Sequence, residues 1–235
     1  MLHLAFVEAA LERVPSRLWS HPSVLRRARV VGKPPGSLLL DRSYHHRAMM
    51  RLPHAAKRGR PDILHVSLLA ALGTPLNREG FLRTYVHTLD DHLLHFHPRV
   101  RLPKNYPRFV GLVEQLYAHG TLPLTGSPLM TVQPGRFETL LDEVQPAHII
   151  AFSRRGRPRL LPEVLAHHLD EALMVVVGAF PRGHFSDPLE HRVDEVVSID
   201  AESLEAWIVA SRILYDYERL LGLPEKRLSG RGVKV

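Results

Sequence analysis

The pattern of hydrophobic and polar positions predicts a strand near the N-terminus and a regular alternation of strands and helices in the last third of the chain. Leu2–Val7 is an apolar run typical of a buried strand, and Glu8 to Arg13 is expected to continue it as a short helix. Further strands are predicted at Ala147–Phe152, Ala172–Val177 and Glu195–Ile199, with helices at Pro162–Leu169 and Ser203–Leu221. This alternation is typical of an α/β domain with a parallel sheet.

The middle of the chain has a less regular pattern. Asp62–Leu72 and Arg108–Tyr117 carry apolar residues at helical spacing, whereas Phe81–Thr88 and His92–His97 are predicted strands. The tail from Pro224 is expected to be mobile.

Composition fits one domain with an anionic partner. The 235 residues are 45% hydrophobic, and 31 Lys and Arg face 24 Asp and Glu, a formal charge of +7 that favours nucleic acid as the partner. Cysteine is absent, which excludes disulfides and thiolate zinc sites. The first ten residues lack the pattern of a secretory signal, and no apolar run is long enough to span a membrane, so a cytoplasmic protein with no membrane partner is expected.

Three loops follow the three C-terminal strands and are the expected ligand pocket. They are Ser153–Gly156, Gly178–Phe185 and Ile199–Leu204. Ligands of open α/β sheets bind outside the carboxyl ends of the strands, and glycines allow the backbone to approach a flat ring closely. The alternative is that these glycines only turn the chain.

Several short motifs carry a resemblance to a known family. Gly59–Ile63, Arg101–Leu112 and Val176–Phe180, together with Thr74–Asn77 and Tyr85–Thr88, resemble the pseudouridine-N1-specific ribosomal RNA methyltransferases, the nucleolar essential protein family of the SPOUT superfamily. The matches run in order from about residue 59 to about residue 221.

The resemblance implies a SPOUT-type trefoil α/β knot with a parallel sheet core. It implies a single domain over residues 1–235, with the knotted cofactor-binding half at about 145–222 and family-specific extensions within about 37–105. It also implies a homodimer that binds a hairpin loop of small-subunit ribosomal RNA, with ribosomal proteins as further candidate partners. The compartment would be the cytoplasm, or the nucleolus in a eukaryotic source.

The implied reaction is methylation of N1 of a pseudouridine with S-adenosylmethionine as the cofactor. The implied cofactor-binding residues are Phe152, Ser153, Gly156, Val177, Gly178, Ala179, Phe180, Gly183, Ser198, Ile199, Ser203 and Leu204. Two loops depart from the family pattern. Pro181-Arg182 stands where relatives usually have Ala-His or Ser-His, and Asp200–Leu204 stands where they often have Ser-Asn-Tyr-Pro-Leu, which puts side-chain roles in doubt more than cofactor binding.

The same resemblance implies a role for Asp62 as the group that orients N1 and accepts its proton. Its alternative role is that of a helix N-cap. Arg60 would act beside it and contact the phosphate or the flipped nucleotide. Arg101, Lys104 and Arg108 match basic RNA-binding positions, and their spacing fits either one face of a helical turn or an irregular segment. Alone, these charges would favour a solvated surface over an RNA-binding one.

Two other functions remain open on the sequence alone. One is methylation of a different base or a ribose hydroxyl by the same kind of enzyme, and the other is a non-enzymatic ribosome assembly factor that binds RNA. No metal site is expected, because His92, His95 and His97 do not all share one face of a strand.

Overall fold

Eight strands form one mixed sheet in residues 1–229, the part of the chain that the computed structural model describes. The strands are β1 (Leu2–Ala9), β2 (Leu82–Thr88), β3 (His92–Phe96), β4 (Thr121–Leu122), β5 (Met130–Pro134), β6 (His148–Pro158), β7 (Leu173–Gly178) and β8 (Glu195–Ser198). The helices are α1 (Pro22–Val31), α2 (Arg42–Met49), α3 (Pro61–Leu72), α4 (Pro75–Arg78), α5 (Tyr106–His119), α6 (Phe137–Val144), α7 (Leu161–Ala166), α8 (Asp187–Glu190), α9 (Ala206–Leu220) and α10 (Leu223–Ser229).

The sheet has a parallel core and an antiparallel extension. Its strand order is β4-β5-β3-β2-β1-β7-β6-β8, and the strands from β2 to β8 in this order pair in parallel. The remaining strands, β3, β5 and β4, pair antiparallel. The predicted α/β class with a parallel core is therefore confirmed, while the trefoil crossing and the single-domain organisation stay predictions.

Helices cover both faces of the parallel core. Helices α3, α5, α7 and α9 pack on one face around Leu4, Phe6 and Val175, whereas α6 and α8 pack on the other around Val7 and Val176. Residues 173–177 of β7 are buried, which confirms the central strand that the apolar run predicts, since both faces of that strand are covered.

The predicted short helix at Glu8 to Arg13 is wrong. Strand β1 continues to Ala9, with a register shift in its pairing with β2 between Phe6 and Ala9. The chain beyond it is extended, and the Glu12 carbonyl accepts a hydrogen bond from the Leu40 amide. The carboxylates of Glu8 and Glu12 are buried beneath a loop at residues 55–60. Long-range ion pairs therefore override the local preference for a helix.

Several predicted boundaries also shift. Strand β6 reaches Pro158, so the predicted loop at Ser153–Gly156 is a bulge inside it: Phe152 and Arg157 both face Val197 of β8. Helix α9 begins at Ala206, three residues later than predicted, and α5 is longer than predicted at both ends. The predicted mobile tail is helical in Leu223–Ser229, and residues 230–235 lie outside the described residues.

A small separate core supports the segment between β1 and α3. Helices α1 and α2, which the sequence pattern does not predict, pack together over Val24, Ala28, Leu40 and Met49. Among residues 1–229, no helix combines the length and apolar character needed to cross a membrane.

Candidate active site

A cavity of about 390 Å³ lies at the bulge of β6 and the carboxyl ends of β7 and β8, where the sequence predicts the cofactor pocket. Ten of the twelve predicted cofactor residues line this cavity. They are Phe152, Ser153, Val177, Gly178, Phe180, Gly183, Ser198, Ile199, Ser203 and Leu204. The three predicted loops therefore converge on one site, because their parent strands run in parallel and end at one edge of the sheet.

The other two predicted cofactor residues lie behind the cavity wall. A Cβ atom at Gly156 would lie 2.5 Å from the backbone carbon of Val197, so a glycine is needed where the β6 bulge crosses β8. Ala179 is fully buried and exchanges backbone hydrogen bonds with Val7 and Ala10. Both residues therefore support the segments that form the cavity wall and do not line the cavity themselves.

The wall formed by the β7 loop suits a flat ring. Phe180 and Phe185 lie edge to face with centroids 6.1 Å apart, and a Cβ atom at Gly178 would come within 2.7 Å of the Phe180 ring. The missing side chain at Gly178 leaves room for this packing and exposes backbone groups to the cavity. The cavity volume and the apolar walls of Phe152 and Val177 fit an adenosyl group.

The opposite wall is acidic. Asp200, Glu202 and Glu205 line the cavity after β8, and the backbone amide of Glu202 donates to Asp200 Oδ1 at 3.1 Å. This hydrogen bond and the Arg212 guanidinium, 3.1 Å from Oδ2, lower the pKa of Asp200. Asp200 is therefore ionised at neutral pH and paired with Arg212, while Glu202 and Glu205 add negative charge to a cavity that Arg154 and Arg182 also line.

Lys57 connects the β7 loop to the end of β1. Its Nζ lies 2.5 Å from Glu8 Oε2 and 4.4 Å from the centre of the Phe180 ring, and its chain packs against Gly183. Glu8 Oε1 also accepts a 3.0 Å hydrogen bond from the Ser186 amide. Glu8 has a φ of +47°, a conformation that costs free energy and is retained because these contacts fix it.

Arg60 and Asp62, the predicted catalytic residues, follow Lys57 in the chain. Arg60 Nε and Nη2 each donate to a different oxygen of Asp62 at 2.8 Å. The hydrogen bond to Asp62 raises the pKa of Arg60, with smaller contributions from the charges of Glu205 and Asp41. Neither Arg60 nor Asp62 is among the residues that line the cavity. Asp62 lies in the first turn of α3 but is not its N-cap, because Arg60 occupies that position. The N-cap alternative is therefore wrong.

Comparison with known proteins identifies the family. The model of the family described as EMG1/NEP1 methyltransferase matches residues 4–218. The chain belongs to this family. Relatives named "Ribosomal RNA small subunit methyltransferase Nep1" include that of Thermococcus kodakarensis, which is 43% identical over 226 residues covering 95% of this chain and 100% of the relative. The Aeropyrum pernix relative is 42% identical and covers 93% of this chain and 98% of its own length.

A solved structure of a family member has the same fold. Archaeoglobus fulgidus Nep1 bound to S-adenosylhomocysteine matches with a TM-score of 0.84 and 36% identity, over 94% of this chain and 98% of the other. The resemblance that the short motifs predict is thereby confirmed.

The three other basic positions that the resemblance implies are exposed and lie at the N-terminus of α5. Arg108 is in the first turn of this helix, while Arg101 and Lys104 precede it in an irregular segment, so the three do not share a helical face. His65 on α3 holds this segment in place: its Nε2 lies 2.7 Å from the Pro103 carbonyl oxygen, and its ring stacks on Phe109 with centroids 4.3 Å apart. The basic segment is therefore fixed to the helix that carries Asp62.

The histidines that lie close together in the sequence, for which no metal site is expected, do not converge in the described residues. His92 lies against Asp90, and His95 lies 3.3 Å from Glu143. In residues 1–229 a different group, His148, His168 and Glu195, has ligand atoms within 4.8 Å of one another. The two imidazole rings are stacked with 9° between their planes, so the nitrogen lone pairs run side by side instead of meeting at one point.

Sequence patterns miss Glu8, Lys57 and His65, the side chains that position the site. Glu8 and Lys57 are 49 residues apart, and His65 meets Pro103 across 38 residues. The one available signal is that Glu8 interrupts an apolar strand pattern at the carboxyl end of a predicted strand.

Proposed function

We propose that this chain methylates N1 of a pseudouridine in small-subunit ribosomal RNA, with S-adenosylmethionine as the methyl donor. The observation that carries the proposal is the cavity at the β6 bulge and the ends of β7 and β8, which ten of the twelve implied cofactor residues line. Membership of a methyltransferase family and the relatives' names support an RNA methyl transfer. S-adenosylhomocysteine in the A. fulgidus relative supports the donor.

The donor supplies a methyl group that a positively charged sulfur already activates. The apolar wall of Phe152, Val177 and Phe180 would hold its adenosyl part, and the acidic wall of Asp200 and Glu202 would favour its cationic part. Little acid catalysis is then required of the protein, whose main task is to align the acceptor and exclude water.

Asp62 would act on the acceptor ring. N1 of pseudouridine carries a proton that must leave as the nitrogen is methylated, and a carboxylate within hydrogen-bond reach accepts it. Arg60 holds both carboxylate oxygens in the present arrangement. A substrate phosphate that attracts the Arg60 guanidinium would free one oxygen of Asp62 for N1, so RNA binding and activation of the base are coupled through this pair.

Arg101, Lys104 and Arg108 would hold the RNA by its phosphates. Their exposed side chains next to α3 allow a hairpin loop to cross Asp62, with the modified base turned out of the loop into the site. The proposal includes a homodimer and the trefoil crossing, both implied by the family resemblance.

The test compares two RNA hairpins that differ at one nucleotide. One carries pseudouridine and the other uridine, and both are incubated with S-adenosylmethionine labelled on its methyl group. We expect label only in the pseudouridine hairpin, because uridine has a carbon atom where pseudouridine has N1 and offers no N–H there. Equal labelling would indicate a different base or a ribose hydroxyl. Absence of label, with RNA binding intact, would favour an assembly factor.

A further inference from the structure

The positive charge of the protein is concentrated in one short segment. Between Arg13 and Arg60 there are twelve Lys and Arg and a single acid, Asp41, a net charge of +11 in 48 residues. The other 187 residues hold 19 Lys and Arg against 23 Asp and Glu, a net charge of −4. The overall charge of +7 is therefore the property of this segment alone, and most of the segment lies outside the candidate active site.

Helices α1 and α2 carry five of the twelve basic residues of this segment, at positions 26, 27, 29, 42 and 47. They pack on each other over their own small core, and their outer surfaces enclose a groove of about 900 Å³. Of the ten residues that line the groove, three are arginines, two are histidines and none is acidic. The most positively charged segment of the sequence therefore also forms this groove on the surface.

The arginines of the groove are available for an anion. Arg26 and Arg47 are exposed, and within residues 1–229 neither these two nor Arg27 lies within 4.0 Å of a carboxylate. The Arg27 guanidinium lies 3.8 Å from the centre of the Tyr44 ring, which fixes it without neutralising its charge. Like charges held this close together repel one another, and an anionic partner removes that repulsion.

The groove continues toward the predicted RNA-binding residues. Arg27 and Tyr44 also line a smaller cavity, of about 220 Å³, together with Tyr106 and Pro107 at the N-terminus of α5. The Tyr106 hydroxyl donates a 2.6 Å hydrogen bond to Asp41 at the N-cap of α2. Arg108 lies in the same first turn of α5, so this cavity, which Asp41 and Glu114 also line, connects the α1–α2 groove to the segment of the predicted RNA-binding residues.

We propose that the α1–α2 groove binds the phosphate backbone of the RNA stem that flanks the methylated nucleotide. This inference rests on the proposed function and adds a second RNA-binding region to it. Arginine forks match phosphate oxygens without selecting a base, which suits a stem whose sequence is not read. Protein partners are disfavoured, because the groove has one aromatic residue, which Arg27 covers on one face, and few apolar residues to form a dry centre.

The test uses a double variant, Arg26→Gln/Arg47→Gln, and two RNAs, one a hairpin with a long stem and the other the same loop on a minimal stem. RNA binding is measured by fluorescence anisotropy from 50 to 200 mM salt. For the long-stem RNA we expect weaker binding and a salt slope reduced by about 0.9 for each phosphate that the variant no longer neutralises, about two units in all. Binding of the minimal-stem RNA should change little.

The matched control is Arg78→Gln/Arg219→Gln, which removes the same charge from two exposed residues on α4 and α9. If the salt slope of RNA binding falls equally in the control variant, the effect depends only on the total charge of the protein, and the proposal is wrong. The proposal also fails if the double variant binds both RNAs as the unchanged protein does. Binding of polyglutamate is measured in the same way, and a loss of affinity for polyglutamate alone would indicate an acidic protein partner and overturn the proposal. The measurement needs no methyl transfer, so its outcome is independent of whether the hairpin is a substrate.

Discussion

The Nζ atom of Lys57 lies 2.5 Å from Glu8 Oε2, and this pair joins the end of β1 to the loop that forms one wall of the cofactor cavity. Both side chains are largely buried, and Lys57 also covers the face of Phe180. Three residues after Lys57 the chain reaches Arg60, followed by Asp62. The pair therefore fixes the cavity wall and the candidate catalytic residues together.

Lys57→Met should destabilise the protein by about 3 to 5 kcal/mol, because Glu8 then keeps a buried charge without its partner. Cofactor affinity should fall with it, since the Ser186 amide and Phe180 are no longer held in place. Urea denaturation and calorimetric titration with S-adenosylhomocysteine measure the two effects. The double variant Glu8→Gln/Lys57→Met is the control, and it should recover much of the stability. A single variant as stable as the unchanged chain would show that the pair does not hold the loop.

Asp62→Asn should lower the rate of methyl transfer by about 10²- to 10⁴-fold, the usual contribution of a positioned general base. Asparagine keeps the size of the side chain and one acceptor for Arg60, so binding of cofactor and RNA should persist. Single-turnover rates on a pseudouridine hairpin, with affinities measured separately, provide the check. Asp62→Ala should behave in the same way. Full turnover in either variant would remove Asp62 from the mechanism.

Arg101→Ala or Arg108→Ala should weaken RNA binding and reduce its salt slope by about one unit each. The reason is that each exposed guanidinium would neutralise one phosphate and release its counterion. Lys104→Ala should have a smaller effect than Arg108→Ala, because an ammonium acts as a point charge and lacks the arginine fork. If the slope stays constant in both arginine variants, these residues are solvated surface.

Gly156→Ala should destabilise the protein by about 1 to 3 kcal/mol through overpacking, since the new Cβ would meet the backbone of Val196 and Val197. Displacement of β8 should also weaken cofactor binding. Thermal unfolding with and without S-adenosylhomocysteine measures both, at about 2 to 4 °C per kcal/mol for a chain of this size.

Gly111→Ala is the control for that substitution. Gly111 lies in α5 with open space where its Cβ would be, so alanine should add up to about 1 kcal/mol of helix stability and leave cofactor binding unchanged. Equal stability of the two alanine variants would contradict the close approach of the β6 bulge to β8.

The stability of the protein should fall between pH 4.5 and 7 through Glu12. Burial raises the pKa of this carboxyl from its ordinary value of 4.5 to about 7, against the opposing charge of Arg58. Below pH 4.5 the Glu12 carboxyl is protonated in both the folded and the unfolded chain, so its full contribution to the free energy of unfolding is present. As the pH rises, the unfolded chain releases the proton first, so the free energy of unfolding falls by up to about 1.4 kcal/mol per pH unit.

Glu12→Gln should remove this part of the pH dependence. Denaturant titrations at several pH values compare it with Glu225→Gln, which changes an exposed acid on α10. An identical pH profile for Glu12→Gln and the unchanged chain would show that Glu12 does not titrate in this way.

Much of the parallel core and of the cofactor cavity follows from the sequence. The run at Met174–Val177 has the apolar character that a central strand requires, and the ligand site follows from the ends of such strands. Helices α1 and α2 are not predicted because they pack on a small separate core. The helix predicted after β1 is wrong because Glu8 and Glu12 have the polar spacing of a helix start. Their partners Lys57 and Arg58 are more than 40 residues away, so only the folded chain brings them together.

Nucleoside mass spectrometry of the methylated hairpin tests whether the methyl group is added to N1 of pseudouridine. The RNA is digested to nucleosides after the reaction, and the product is compared with standards methylated at N1, at N3 or on the ribose. We expect N1-methylpseudouridine from the unchanged chain and its loss in Asp62→Asn. A product that matches the N3 or the ribose standard would contradict this expectation.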